Sequence, residues 1–232
     1  MFQPTVLRVL LPLVASLCAL PSLAAALDLK DPKVRESYAV GASIGTNLKK
    51  QGVDVDPAAV VAGVTVALAG KTALSDEEIQ AAMEKVRGEV EANQHAKMQT
   101  ESAANAKAGA EFLAENAKKP GVKTTASGLQ YKVLKPGTGR TPGLHDTVKV
   151  NYKGTLIDGT VFDSSIARGQ PVTFPVNGVI AGWTEALQMM KEGADWEIYV
   201  PANLAYGERG VGGVIGPNSV LIFDIQLIDI EK

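Results

Sequence analysis

The chain has 232 residues, 23 of them basic and 25 acidic, for a formal net charge of −2, and 46% are hydrophobic. A balance this close to neutral gives no electrostatic reason to expect nucleic acid or an anionic membrane surface as partner. The length suits two domains of ordinary size.

Residues 1–26 read as a secretory leader. Arg8 supplies the positive charge, and Val9 to Leu20 is apolar apart from Ser16. Pro21-Ser22 breaks the run, and Ala24 and Ala26 are the small pair before cleavage. The apolar run is shorter than the roughly 20 residues a membrane span needs, so no span is expected in the mature form. The one cysteine, Cys18, lies inside the leader and follows Leu17 rather than a small residue, so a lipid anchor is not expected. Its removal excludes disulfides, thiol catalysis and thiolate metal sites.

From 27 to about 120 the composition is helical, and three helices can be placed. Val34, Tyr38, Ala42, Gly45 and Leu48 recur at intervals of three or four until Gly52. Asp56-Pro57 is an N-cap with proline at the first helical position, and Val60, Val64 and Leu68 line one face before Gly70. Ser75-Asp76-Glu77-Glu78 is a capping box, opening a long helix over about 75–118. Ile79, Met83, Val86 and Val90 form a coiled-coil-like seam that then thins. A helix of about 43 residues would reach roughly 65 Å, too far to be buried along its length in a small monomer. These helices expose more apolar stripe than their few large side chains can cover. The segment 27–120 is therefore expected to be a dimerisation domain completed by a second copy.

After Pro120-Gly121 aromatic residues and Gly/Pro punctuation appear, and the period changes to two. Leu129, Tyr131 and Val133 alternate, as do Val148, Val150 and Tyr152, then Val172, Phe174 and Val176. Trp196, Ile198 and Val200 form another set, and Leu221, Phe223, Ile225 and Leu227 the last. Strict alternation is the habit of an antiparallel sheet with one buried face. Asp158-Gly159 marks a tight turn, and one short helix fits between Gly182 and Gly193 with Trp183 and Leu187 on one face. The fold class is α+β: a curved antiparallel sheet wrapped on one short helix over 121–232, preceded by the all-α segment.

His95 and His145 are the two histidines; neither sits beside a plausible nucleophile, and two distant histidines make no metal site. Phosphate-binding, dinucleotide and calcium motifs are lacking, so no cofactor or metal is expected. A concentration of apolar and aromatic residues near glycine-rich loops is the composition of a binding pocket.

Here the motifs become specific. Val150-Asn151-Tyr152-Lys153-Gly154-Thr155-Leu156, followed by Asp158-Gly159-Thr160-Val161-Phe162-Asp163-Ser164-Ser165, resembles the front half of the FKBP-type prolyl isomerase signature. Val179-Ile180-Ala181-Gly182-Trp183 resembles its pocket floor. Ala205-Tyr206-Gly207, Val214-Ile215-Gly216-Pro217 and Leu221-Ile222-Phe223-Asp224 are similar to its closing half. The leader, the helical half and the Val211-Gly212-Gly213 loop resemble the Mip/FkpA branch, bacterial envelope proteins that form dimers.

The resemblance implies a peptidyl-prolyl cis–trans isomerase, periplasmic or associated with the outer membrane or released, with chaperone character. Its partners would be proline-containing unfolded polypeptides and a second copy, and macrolides its inhibitors. Trp183 would be the pocket floor; Tyr152, Phe162, Val179, Ile180 and Phe223 its walls; Val172 and Ile215 its side. The Ile180 N–H and the Tyr206 hydroxyl would hold substrate carbonyls. Asp163 would lie beside the twisting amide, held by Arg168 and the Tyr152 hydroxyl. Phe174 and Trp196 read as core. Val211, Val172 and Gly178 stand where many eukaryotic members carry histidine, phenylalanine and glutamate, which puts macrolide affinity in question. The alternative is a proline-peptide-binding or chaperone module with little turnover.

Overall fold

The computed structural model describes residues 27–231; the leader read at 1–26 lies outside the described residues. The chain divides into two compact units between Gln80 and Ala81.

The first unit holds α1 (Pro32–Gln51), α2 (Pro57–Leu68) and the first turn of α3 (Asp76–Asn116). Their boundaries follow from side-chain caps. Asp56 accepts hydrogen bonds from the Ala58 and Ala59 N–H groups at 2.7 and 3.2 Å, and Asp31 does the same for Lys33 and Val34. α1 stops where Gly52 turns left-handed, φ 69°, a conformation glycine takes without strain. At α3 the capping box closes in both directions: Ser75 N–H donates to Glu78 Oε2 at 2.8 Å, and Glu78 N–H to Ser75 Oγ at 3.2 Å. Packing is sparse. Neither α1 nor α2 buries a residue, and among the described residues of the unit Val53 in their connection is the buried hydrophobic one.

The second unit is built on an antiparallel sheet of β1 (Val122–Thr124), β2 (Gln130–Pro136), β3 (Thr147–Leu156), β4 (Val161–Ser164), β5 (Val172–Pro175), β6 (Ala194–Val200) and β7 (Leu221–Glu231). The order is β1-β2-β6-β7-β3-β4, with β5 also pairing β3. The longest ladder joins β3 to β7, from Thr147↔Glu231 to Leu156↔Leu221. Alternation puts Leu221, Phe223, Ile225 and Leu227 of β7 inside, and Trp196, Ile198 and Val200 of β6 beside them. The sheet's inner face covers α4 (Ala181–Leu187), which buries Trp183, Ala186 and Leu187. α4 sits close because residue 182 is glycine: a Cβ there would lie 2.5 Å from Val200 Cγ1.

The last turns of α3 pack on this same unit. Gln130 Nε2 donates to the Leu113 carbonyl and Asn116 Nδ2 to Gln130 Oε1, both at 2.9 Å, and Phe112 meets Tyr199 at 6.0 Å between ring centroids.

Candidate active site

The inner face of the sheet and α4 together leave an open cavity of about 630 Å³ in the second unit. Its lining includes Tyr152, Phe162, Asp163, Val179, Ile180, Trp183, Tyr206, Ile215 and Phe223, nine of the positions singled out in the sequence. Trp183 is 4% exposed and lies at the centre of the aromatic cluster. Tyr152, Phe174 and Phe223 meet its ring nearly at right angles, with centroids 5.3, 5.9 and 5.2 Å away. Phe162 in turn stands edge-on to Phe223 at 5.5 Å. Such edge-to-face contacts add stability beyond the area they bury and fix each ring's tilt. Gly154 makes room for the pair, since a Cβ there would lie 2.6 Å from Phe162 Cζ and 2.9 Å from Phe223 Cε1. The Trp183 indole Nε1 is buried without a hydrogen-bond partner among the described residues.

One wall is charged. Asp163, on β4, accepts a hydrogen bond from the Tyr152 hydroxyl on one carboxylate oxygen and from Arg168 on the other. Arg168 Nη2 also donates to the Tyr152 hydroxyl at 3.0 Å, closing a three-residue clamp. Burial pushes the Asp163 carboxyl up, but the tyrosine and guanidinium donors outweigh it and hold the group below the ordinary carboxylate value. Burial, then the bond to Asp163, push the Tyr152 phenol up. Both groups keep their charge states across neutral pH. The turn after β4 is capped by its serines: Ala167 N–H donates to Ser164 Oγ at 3.1 Å, and Tyr152 N–H to buried Ser165 Oγ at 2.8 Å. The Asp163 carboxylate is thereby aimed at the clamp.

Arg168 does not line the cavity; it acts on it through Asp163 and Tyr152. Val172 lies on β5 opposite Val150 and is not among the lining residues, whereas Phe174, two positions on and read from sequence as core, is. Both project from the same face of β5, but the cavity lies toward the Trp183 end, and only the ring reaches it. Trp196 is core, stacked on Tyr131 at 4.6 Å. Ile180 immediately precedes α4, where backbone N–H groups have no intrahelical acceptor. Tyr206 is 40% exposed at the cavity rim. His95 and His145 are both exposed, and no group of three or more metal-ligating side chains occurs among the described residues.

An aromatic floor under an open cavity, with a single clamped carboxylate at its wall, coincides with a family match over the same strands. Residues 138–228 match the model described as FKBP-type peptidyl-prolyl cis-trans isomerase, and residues 33–133 that of the domain amino terminal to it. The chain belongs to the FKBP-type peptidyl-prolyl cis–trans isomerases. Among relatives, it is 46% identical to the outer membrane protein MIP of Legionella longbeachae, over 89% of each chain. It is also 46% identical to the peptidyl-prolyl cis-trans isomerase Mip of Coxiella burnetii, over 90% of this chain and 91% of that one. The crystal structure of FkpA from Escherichia coli superposes with a TM-score of 0.72 at 44% identity, covering 87% of this chain and 98% of that one. This member of the family thus has the FKBP-like fold together with the helical segment of the Mip and FkpA proteins.

Proposed function

We propose that this isomerase accelerates rotation about X-Pro bonds in polypeptides folding in the bacterial envelope, working as a homodimer with chaperone capacity. The observation that carries the reading is the Trp183-centred cavity with the Asp163 clamp at its wall. An X-Pro amide resists rotation by about 18–20 kcal/mol because resonance gives its C–N bond double-bond character. Exchange between isomers takes tens to hundreds of seconds, slow enough to limit folding. The twisted transition state has lost that resonance and is less dipolar than either planar form. An aromatic cage that sheds water as the proline fills it therefore costs the transition state less than the ground states, and the barrier falls. Trp183 supports the proline ring, Phe162, Phe223 and Tyr152 wall it, and Asp163 lies beside the turning carbonyl. The Ile180 N–H and Tyr206 hydroxyl orient the flanking chain. Rotation breaks no covalent bond and moves no proton, so no acid, base or metal takes part in it.

The purified mature chain should speed cis–trans exchange in short X-Pro peptides followed by a conformer-specific protease or by NMR. Peptide binding without acceleration would leave a docking module in place of an enzyme. Macrolides that place a proline-like ring over Trp183 should compete for the same cavity.

The homodimer rests on the first unit. α1 and α2 leave an apolar groove of about 880 Å³, lined by Ile44, Leu48, Val60, Val64 and Leu68 among others. Leu68 is 85% exposed, and Val40, Val61 and Val64 are exposed too. A second copy of the same helices is the occupant that closes such a self-complementary face. Val64→Glu, placing a charge in the groove, should convert a dimer to a monomer in sedimentation at micromolar concentration. Peptide isomerisation should survive, while proline-limited refolding of a whole protein should slow by about tenfold or more, because two linked sites raise effective concentration. A native chain that sediments only as monomer rules the dimer out.

The leader and the envelope placement of an outer membrane relative support export to the periplasm. Among the described residues no helix is long and apolar enough to cross a membrane.

A further inference from the structure

The segment joining β6 to β7 supplies Tyr206, Val211, Gly212, Val214 and Ile215 to the cavity. It has little regular structure of its own: single-turn helices at Ala202–Leu204 and Gly207–Arg209, and an isolated Val211↔Ile215 bridge. Its return to the sheet passes through Asn218, the one non-glycine residue among the described residues with positive φ, 55°. A side chain persists in that conformation only where its surroundings hold it.

The surroundings that hold it come largely from α3. Asn218 Nδ2 donates to Ser102 Oγ at 2.8 Å, and Asn105 Nδ2 donates to the Pro217 carbonyl at 2.9 Å. Asn218 N–H closes the loop on itself by donating to the Gly207 carbonyl at 2.8 Å, next to Tyr206. One turn further, Gly109 lets the helix approach the loop's end: a Cβ there would lie 2.7 Å from Val220 Cγ2. Ser102, Asn105 and Gly109 are spaced three and four apart and so share one face of α3. None of them lines the cavity.

We propose that Ser102 and Asn105 are positioning residues for the isomerase site. They fix the 216–218 stem from outside, and through it the seats of Ile215 and Tyr206 in the cavity wall. Peptide affinity then depends on the long helix as well as on the sheet. The proposal rests on the prolyl-peptide site described above.

The test uses the full mature chain and steady-state isomerisation of a short X-Pro peptide. Asn105→Asp keeps the side-chain shape but turns a donor toward Pro217 into an acceptor. It should raise KM roughly 3- to 10-fold and leave kcat within about twofold, the signature of lost wall contacts shared by ground and transition states. Ser102→Ala should act in the same direction, and Ser102→Thr, which keeps the hydroxyl, should restore native KM. Asn218→Gly removes the same bond from the other side on a residue that accepts positive φ freely. Combined with Ser102→Ala it should add nothing further, because one interaction has been cut twice. Lys107→Ala, exposed on the same helix, should be silent. Native KM in both Asn105→Asp and Ser102→Ala overturns the proposal. So does a loss of activity that follows loss of the folded near-UV signal and is not restored by Ser102→Thr. An inactive native chain would instead refute the enzyme reading itself.

Discussion

Asp163→Ala should lower kcat/KM for an X-Pro peptide on the order of 10- to 100-fold while leaving the domain folded. The carboxylate is the one charged group on the cavity wall, and it is 41% exposed. A loss of that size corresponds to about 1.4–2.7 kcal/mol of transition-state stabilisation. The substitution also frees Tyr152 and Arg168, which now converge on the carboxylate. Phe162→Ala, on the same strand, should reduce activity as well by opening the wall. The pH profile checks the assignment independently. Asp163 is held below its ordinary value and Tyr152 above its own, so neither titrates between about pH 5 and 9, and activity should be flat there. A depressed carboxyl contributes its part to folding above the unfolded value, near 3.9, and loses it as pH falls through the folded value. Any acid limb belongs below about pH 4 and should be absent in Asp163→Asn. Undiminished turnover by the alanine variant would remove Asp163 from the site.

Trp183 carries the largest structural stake. Trp183→Ala should cost about 3–5 kcal/mol of stability in urea unfolding and abolish measurable isomerisation, because three aromatic neighbours lose the ring they stand against. Trp183→Phe should behave quite differently. The indole N–H is buried with no acceptor, so phenylalanine sacrifices no hydrogen bond and removes a donor that is costly to leave unpaired. Stability should change by about 1–2 kcal/mol at most, with activity retained within several-fold. If the phenylalanine variant were as damaged as the alanine one, the indole N–H would make an interaction that an aromatic ring alone does not replace.

These positions were legible because local chemistry announces them. Asp56-Pro57 and Ser75 with Glu78 carry their cap geometry within four residues, and the alternating strands carry their burial in a period of two. Asp31-Pro32 repeats the Asp56-Pro57 pattern and caps α1 in the same way. What the pattern hid was longer in range or finer in detail. β1 is only three residues, too short for any period to register. The exchange of Val172 for Phe174 at the cavity turns on which of two same-face side chains reaches Trp183, a matter of length and not of alternation. Asn105 and Ser102 meet partners 112 and 116 residues away, and as polar residues on an exposed-looking helix they give no sign of it. Asn116, the last residue of α3, is wholly buried against Gln130, which no local pattern announces.

The glycine at 182 has a further meaning for anyone who wishes to alter what this isomerase accepts. Where α4 touches β6, main chain meets the Val200 side chain with no room for a methyl group. The seat of α4 on the sheet is consequently a main-chain dimension, and a side chain at 182 would be accommodated only by moving the helix that carries Trp183. Changes of specificity are expected from Val211 and Val214, which line the cavity and are exposed, because a bulkier or charged residue there would alter which sequences enter without touching Trp183.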